Sequence, residues 1–239
     1  MKTKLTVGII CAMDSEISGL ISSIQIIETV TIADLVFHVG EVSDKIITIV
    51  KCGVGKVNAA RCTQLLIDRF QPDLIINSGI AGGIDPELSV GDIVIAAEFI
   101  QHDFDVTAFG HAKGYLCTGE CDDRPTVFRS DERLVSLLEE TVRRADTKTA
   151  LYKGRIATGD LFVSDSSMKQ RIYREFHAAA VEMEGAAIAQ TAAYSKTPFV
   201  AIRVISDQAD GSAAESFEIF EKKTAELSSA VIVSFLKLI

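Results

Sequence analysis

Short apolar runs alternate along the chain with stretches in which apolar residues return every three or four positions. Leu5 to Ile10, Leu35 to Val39, Lys45 to Val50, Asp73 to Asn77, Asp92 to Ile100, Tyr152 to Ala157 and Phe199 to Ile205 predict β-strands, because a brief apolar run bounded by polar turns suits a buried extended segment. Helical spacing covers Asp14 to Ile24, and Lys56 to Phe70 with Val57, Ala60, Leu65 and Phe70. It returns over Asp131 to Arg144 with Leu134, Leu137 and Leu138, and over the alanine-rich Glu184 to Tyr194. A long final helix is predicted over Phe217 to Leu238, where Phe217, Phe220, Leu227, Val231, Phe235 and Leu238 recur at helical steps. Residues 110 to 129 read as irregular, and the glycines after Asn77 predict a tight turn. Alternation of this kind predicts an α/β domain with a mixed, mostly parallel central sheet. No linker, repeat or shift in composition divides residues 1–239, so one domain is expected.

Composition narrows the picture. Of the 239 residues, 48% are hydrophobic and 24% charged, which excludes a disordered or collagen-like chain. No apolar stretch is long enough to span a membrane. The net charge of −9 and the lack of a basic run argue against nucleic-acid binding. Lys2 and Lys4 precede an apolar run, but Asp14 and Glu16 interrupt it too early for a signal peptide. Five scattered cysteines without such a signal point to the reducing cytoplasm.

In open α/β sheets, ligands gather beyond the carboxyl ends of the strands. The segments that follow the predicted strands are polar and glycine-rich: Cys11 to Glu16, Ser78 to Gly83, Thr158 to Val163 and Ser206 to Asp210. Val181 to Gly185 precedes the alanine-rich helix in the same manner. Two carboxylates at one edge can divide acid and base work if their surroundings separate their pKa values. Asp207 follows an apolar strand, where desolvation favours the protonated acid. Glu16 occupies a first helical turn, where the helix dipole favours the ionised base. Helix capping accounts for either carboxylate alone. Gly79, Gly82 and Gly83 let backbone N–H groups approach a ligand, or make only a tight turn. Gly53-Val54-Gly55-Lys56 fails both the Walker A and the dinucleotide patterns. Cys117 and Cys121 lack the second ligand pair of a zinc site, and His102, Asp103 and Asp105 read as a polar turn rather than a metal site. No Gly-x-Ser-x-Gly elbow is present.

Gly8-Ile9-Ile10-Cys11-Ala12-Met13-Asp14-Ser15-Glu16, Gly53 to Ala60, Asn77 to Gly83, His102 to Gly110, Thr158 to Val163, Val181 to Glu184 and Arg203 to Asp207 occur in order along nearly the whole chain. Together they resemble the bacterial methylthioadenosine/S-adenosylhomocysteine nucleosidases of the purine nucleoside phosphorylase/hydrolase superfamily. The resemblance implies a three-layer α/β/α fold with a mixed, twisted central sheet. It implies hydrolysis of the N-glycosidic bond of a 5′-thio-substituted adenosine, with release of adenine and a thioribose. Glu16 would activate water and Asp207 would protonate adenine at N7, with Arg203 as the third catalytic residue. Glu184 would hold the ribose hydroxyls and Met183 would pack on the sugar. Phe162 would stack on adenine, and backbone groups of Val163 would read its edge. Ala81, Gly82, Val181, Glu182, Val54, Met13 and Ile80 would complete the substrate site. Val106 and Phe109 would reach into a neighbouring subunit's pocket, so the resemblance also implies a homodimer.

That chemistry requires no metal or organic cofactor, since acid and base are side chains. Ile80 stands where the family usually carries serine, and its apolar side chain argues against a phosphorylase, which needs polar donors for phosphate. His111 and Cys117 replace bulkier or more rigid residues of the family's 5′ pocket. The alternatives are a phosphorylase or a futalosine-type hydrolase of the same fold, and a non-catalytic nucleoside-binding or adhesion protein. Retention of Glu16, Glu184, Arg203 and Asp207 together speaks against the last.

Overall fold

The computed structural model describes residues 4–117, 124–145 and 149–239, so Cys121 lies outside the described residues. Along the chain run β1 (Thr6–Cys11), α1 (Asp14–Ser22), β2 (Gln25–Ile32), β3 (Leu35–Val42), β4 (Lys45–Lys51), α2 (Lys56–Phe70), β5 (Leu74–Gly83), β6 (Ile93–Gln101) and β7 (Phe128–Arg129). They are followed by α3 (Glu132–Arg144), β8 (Leu151–Thr158), α4 (Ser166–Phe176), β9 (Ala180–Glu182), α5 (Gly185–Tyr194), β10 (Phe199–Asp207) and α6 (Ala213–Leu238).

All the strands join one mixed sheet. From its outer edge the order is β2, β3, β4, β1, β5, then β9, β8, β6 and β10, and β10 returns to pair with β5. β5 makes this closure possible because it is long. β1 pairs with its first half, Leu74 to Asn77, and β9 with Gly82 and Gly83 at its end. β10 runs parallel to it from Ile75 to Gly82. The expectation of a mostly parallel sheet is corrected here: five of the ten pairings are antiparallel. The connections explain it. Ala33-Asp34 and Ser43-Asp44 join β2, β3 and β4, and links that short permit only antiparallel neighbours.

Helices cover both faces. α1, α3 and α6 pack with one set of strand residues, including Ile9, Ile49, Ile76, Ile95 and Ile202. α2 and α5 cover the opposite set, including Ile10, Val50, Ile75, Phe99 and Ala201. The strand residues alternate between the two sets because successive side chains leave a strand on opposite faces. α4 closes a smaller cluster around Ile100, Val163 and Phe176.

The glycine-rich segment corrects a second expectation. Ser78 to Gly83 is not a turn; it continues β5, fully buried. Its glycines serve close packing. A Cβ on Gly79 would lie 2.6 Å from Glu16 Oε1, and one on Gly82 would lie 2.8 Å from Asp207 Oδ1. α1 ends at Ser22 rather than Ile24, and α6 begins at Ala213 rather than Phe217. β2, α4 and the three-residue β9 carry patterns that the periodicity reading passes over.

Phe235 is fully buried in α6, against the layer that also holds α1. Phe235→Ala is expected to lower unfolding free energy by about 3–5 kcal/mol, through lost burial and a residual cavity. Urea denaturation measures it, and a loss below about 1 kcal/mol would show that α6 is not part of the cooperative core.

Candidate active site

A cleft opens where β1, β5, β9 and β10 end, lined mostly by apolar side chains with a few convergent carboxyl groups, the usual make-up of a small-molecule site. Glu16 reaches it from the first turn of α1. Its Oε2 accepts hydrogen bonds from the backbone N–H groups of Ala12 (2.8 Å) and Met13 (3.1 Å). Its Oε1 accepts from Ile80 N–H on β5 (3.1 Å). The bond from Met13 is that of a capping box, so the capping role of Glu16 and its place in the cleft coexist. Gly79 permits the approach, because any side chain there would collide with the carboxylate. Burial pushes the Glu16 carboxyl above its ordinary value, opposed by the Arg203 charge and the three N–H donors.

Asp207 sits at the end of β10, 2% exposed. It accepts from Ala209 N–H at Oδ1 and from Ser206 Oγ at Oδ2, both at 2.8 Å. Burial again raises its pKa, against those two hydrogen bonds. Glu184, just before α5, accepts from Gly55 N–H at 2.7 Å. Burial and the neighbouring Glu182 push its carboxyl up to about 8.

Beneath the cleft lies an ion pair. Arg203 Nη2 donates to Glu182 Oε2 at 2.7 Å, and both side chains are buried. The rest of the guanidinium is held by the Asn77 side chain, by Asn77 O and by Ile202 O. Glu182 Oε2 also accepts from the N–H groups of Glu184 and Gly185, and its Oε1 from Thr158 Oγ1. Arg203 therefore faces Glu182 and the backbone and does not line the cleft. Glu182 does line it, with its carboxylate engaged by its own chain.

Met13, Val54, Ile80, Ala81, Gly82, Phe162, Val181, Met183 and Glu184 all line the cleft with Glu16 and Asp207. Val163 is buried among Ile100, Ala157 and Phe176 instead. Val106 and Phe109 flank the single helical turn Thr107–Phe109 away from the cleft, and Phe109 is 81% exposed. Ala12, Ser206 and Phe217 are lining residues that the sequence-based site set omits. Phe217 meets the Phe162 ring edge-on at 5.8 Å between centroids. It recurs at the helical steps of α6, but lies in a stretch, residues 214–223, in which no residue is buried. Of the residues weighed as a metal turn, Asp103 bonds Lys56 and Asp105 caps Thr107, while His102 is buried with its Nε2 unpartnered.

Residues 6–237 match the family model of the phosphorylase superfamily. A 5′-methylthioadenosine/S-adenosylhomocysteine nucleosidase of Pseudoalteromonas translucida is 41% identical, over 98% of this chain and 97% of that protein. The chain belongs to the 5′-methylthioadenosine/S-adenosylhomocysteine nucleosidase family. Among solved structures, the Neisseria meningitidis nucleosidase in complex with methylthio-immucillin-A superposes with a TM-score of 0.92 at 39% identity, covering 98% and 99% of the two chains. Helicobacter pylori futalosine hydrolase has the same fold at 31% identity and a TM-score of 0.92, covering 98% of each chain. The nucleosidase-like fold therefore extends to a second hydrolase type.

A carboxyl whose folded pKa lies above its unfolded value binds more protons when folded. The stability linked to it is full below the unfolded value and is lost as pH rises through the folded one. For Glu184 that window runs from 4.5 to about 8. Glu184→Gln, which keeps an acceptor for Gly55 N–H, is expected to be the more stable protein at pH 8, by a few kcal/mol at about 1.4 kcal/mol per unit. Thermal unfolding across pH checks this; equal pH dependence in both proteins would contradict the raised carboxyl.

Proposed function

We propose that the chain hydrolyses the N-glycosidic bonds of 5′-methylthioadenosine and S-adenosylhomocysteine, releasing adenine and the 5-thioribose product. The observation that carries hydrolysis over phosphorolysis is the seat of Glu16. The N–H groups of Ala12, Met13 and Ile80 would together cradle an anion, and the Glu16 carboxylate already fills that cradle. Ile80 adds no hydroxyl. A neutral water beside Glu16 suits the site better than phosphate.

In this reading Asp207, whose carboxyl burial pushes above its ordinary value, gives its proton to adenine N7. The C1′–N9 bond breaks, and its electron pair passes to the protonated purine. Water adds to the oxocarbenium-like C1′ while Glu16 takes the water proton. Protonation of the leaving group and removal of a proton from the nucleophile are the tasks that two separated carboxyl groups perform in glycoside hydrolysis. Glu184 holds the ribose hydroxyls, Met183 packs on the sugar, and Phe162 stacks on the base. Arg203 acts through its charge on Glu16 and Glu184, since its Nη1 and Nη2 groups donate to protein acceptors. The same reading takes Val106 and Phe109 as residues that act in trans in a homodimer. The half-exposed Val54 and Phe162 at the cleft mouth, and the outward Phe109, fit a site finished by a second copy. A cytoplasmic setting fits the four free cysteines among the described residues.

Release of the free base in phosphate-free buffer tests the reaction class, read as adenine from methylthioadenosine and S-adenosylhomocysteine and as hypoxanthine from futalosine. Release from the two thioadenosines without phosphate is expected. Strict phosphate dependence would make the enzyme a phosphorylase, and turnover of futalosine alone would give it the other hydrolase activity. Asp207→Asn and Glu16→Gln are each expected to lower kcat by about 10²- to 10⁴-fold, the usual worth of a general acid or base. Near-normal turnover in either variant contradicts its role. Sedimentation is expected to give twice the chain mass, and a monomer with full activity would exclude a site shared between subunits.

A further inference from the structure

Lys56 opens α2, where a cation is unfavourable because it meets the positive end of the helix dipole. Its charge is answered from elsewhere. Lys56 Nζ donates to Asp103 Oδ1 at 2.6 Å and to Gln101 Oε1 at 3.2 Å, and lies 3.8 Å from Asp160 Oδ2. The lysine side chain is only 16% exposed. The two aspartates also bind backbone. Asp160 Oδ1 accepts the Lys56 N–H at 2.8 Å, and Asp103 Oδ2 accepts the Asp160 N–H at 2.8 Å. The ends of β6 and β8 and the start of α2 are thereby tied into one loop cluster. Partial burial pushes the Asp103 carboxyl up, and the Lys56 ammonium and Asp160 N–H outweigh it and leave it below its ordinary value.

The residue next to Lys56 shows what the cluster is for. Gly55 has φ +99°, a conformation that L side chains rarely adopt, and its N–H donates to Glu184 Oε1. The two N–H groups at the start of α2, of Gly55 and Lys56, thus go to Glu184 and Asp160, from distant parts of the sequence. Among the hydrogen bonds of the described residues, Gly55 N–H is the donor that fixes the Glu184 carboxylate. Gly55 directly precedes Lys56, whose backbone N–H and Nζ are held by Asp160 and Asp103.

We propose that Lys56, clamped by Asp103 and Asp160, is a positioning residue that sets the orientation of the Glu184 carboxylate in the substrate cleft. The clamp touches no reacting atom; it acts through the Gly55 N–H. This inference rests on the assignment of Glu184 to the ribose hydroxyls made above.

Kinetics with methylthioadenosine and its 2′-deoxy and 3′-deoxy analogues test it in wild type, Lys56→Met, Lys56→Arg and Asp103→Asn. A hydrogen bond to a carboxylate that is lost with the hydroxyl lowers kcat/KM by roughly 10- to 100-fold in wild type. Lys56→Met is expected to lower kcat/KM for the parent substrate by about tenfold. It is also expected to shrink the penalty for at least one deoxy analogue to a few-fold, because a misaimed Glu184 no longer distinguishes the hydroxyl. Asp103→Asn shows the same narrowing to a smaller degree, and Lys56→Arg restores most of the discrimination. Equal losses on all three compounds, with the deoxy penalty intact in both Lys56→Met and Asp103→Asn, would overturn the clamp while leaving the Glu184 assignment standing. No deoxy penalty in wild type would overturn the Glu184 assignment and the clamp with it. Should Lys56→Met fail to fold, Asp103→Asn alone carries the comparison.

Discussion

A buried ion pair organises this molecule. Arg203 and Glu182 are almost wholly removed from water, and a charge so placed is tolerable only when it is paired and fully hydrogen-bonded. Both conditions are met. Arg203 belongs to β10, Glu182 to β9, and the Asn77 groups that hold the guanidinium belong to β5. Those are the strands through which the sheet closes on itself. The interaction that completes the fold therefore lies directly under the cleft, and its field reaches the carboxyl groups above. Arg203 favours the ionised forms of Glu16 and Glu184, while Glu182 disfavours that of Glu184.

Besides Glu182, three carboxyl groups line the cleft, and their local donors differ. Glu16 receives three backbone N–H groups, fixed dipoles that suit a carboxylate. Asp207 receives one N–H and one hydroxyl, and burial dominates its ionisation. Glu184 has one N–H and a like charge nearby, and burial together with that charge pushes its carboxyl up to about 8. The groups proposed as base, acid and sugar-binding group thus carry three, two and one donors, and burial raises the pKa of all three.

Much of this was legible in the residues, and the exceptions share physical causes. α2, and most of α3 and β10, follow their apolar periods because one face or both faces are buried. β2 is an exposed edge strand whose polar residues hide its alternation, and α4 buries only Ile172 and Phe176. Glycines at 79, 82 and 83 suggested a turn because glycine usually serves backbone freedom. Here it serves proximity, letting Glu16 and Asp207 lie against the strand. Of the site, the strand-end carboxylates could be found from position alone. The partnership of Arg203 with Glu182 could not, since it depends on ring closure between strands remote in sequence. Phe217 was hidden by a helical period that describes α6 as a whole but not its first turns, where no residue between Ala213 and Thr224 is buried. The clamp at Lys56 left one trace, a lysine at a helix start without an acidic residue in the first turn.

The Arg203–Glu182 pair biases ionisation in the cleft, on top of the larger effect of burial. The most direct measurement is the pH profile of kcat/KM for adenine release by Glu182→Gln against wild type. Glutamine keeps the shape and an acceptor for Arg203 but removes the opposing charge. The account predicts that the acidic limb moves to lower pH, because Arg203 then acts unopposed on Glu16 and Glu184. An acidic limb that stays in place, or moves to higher pH, would contradict it.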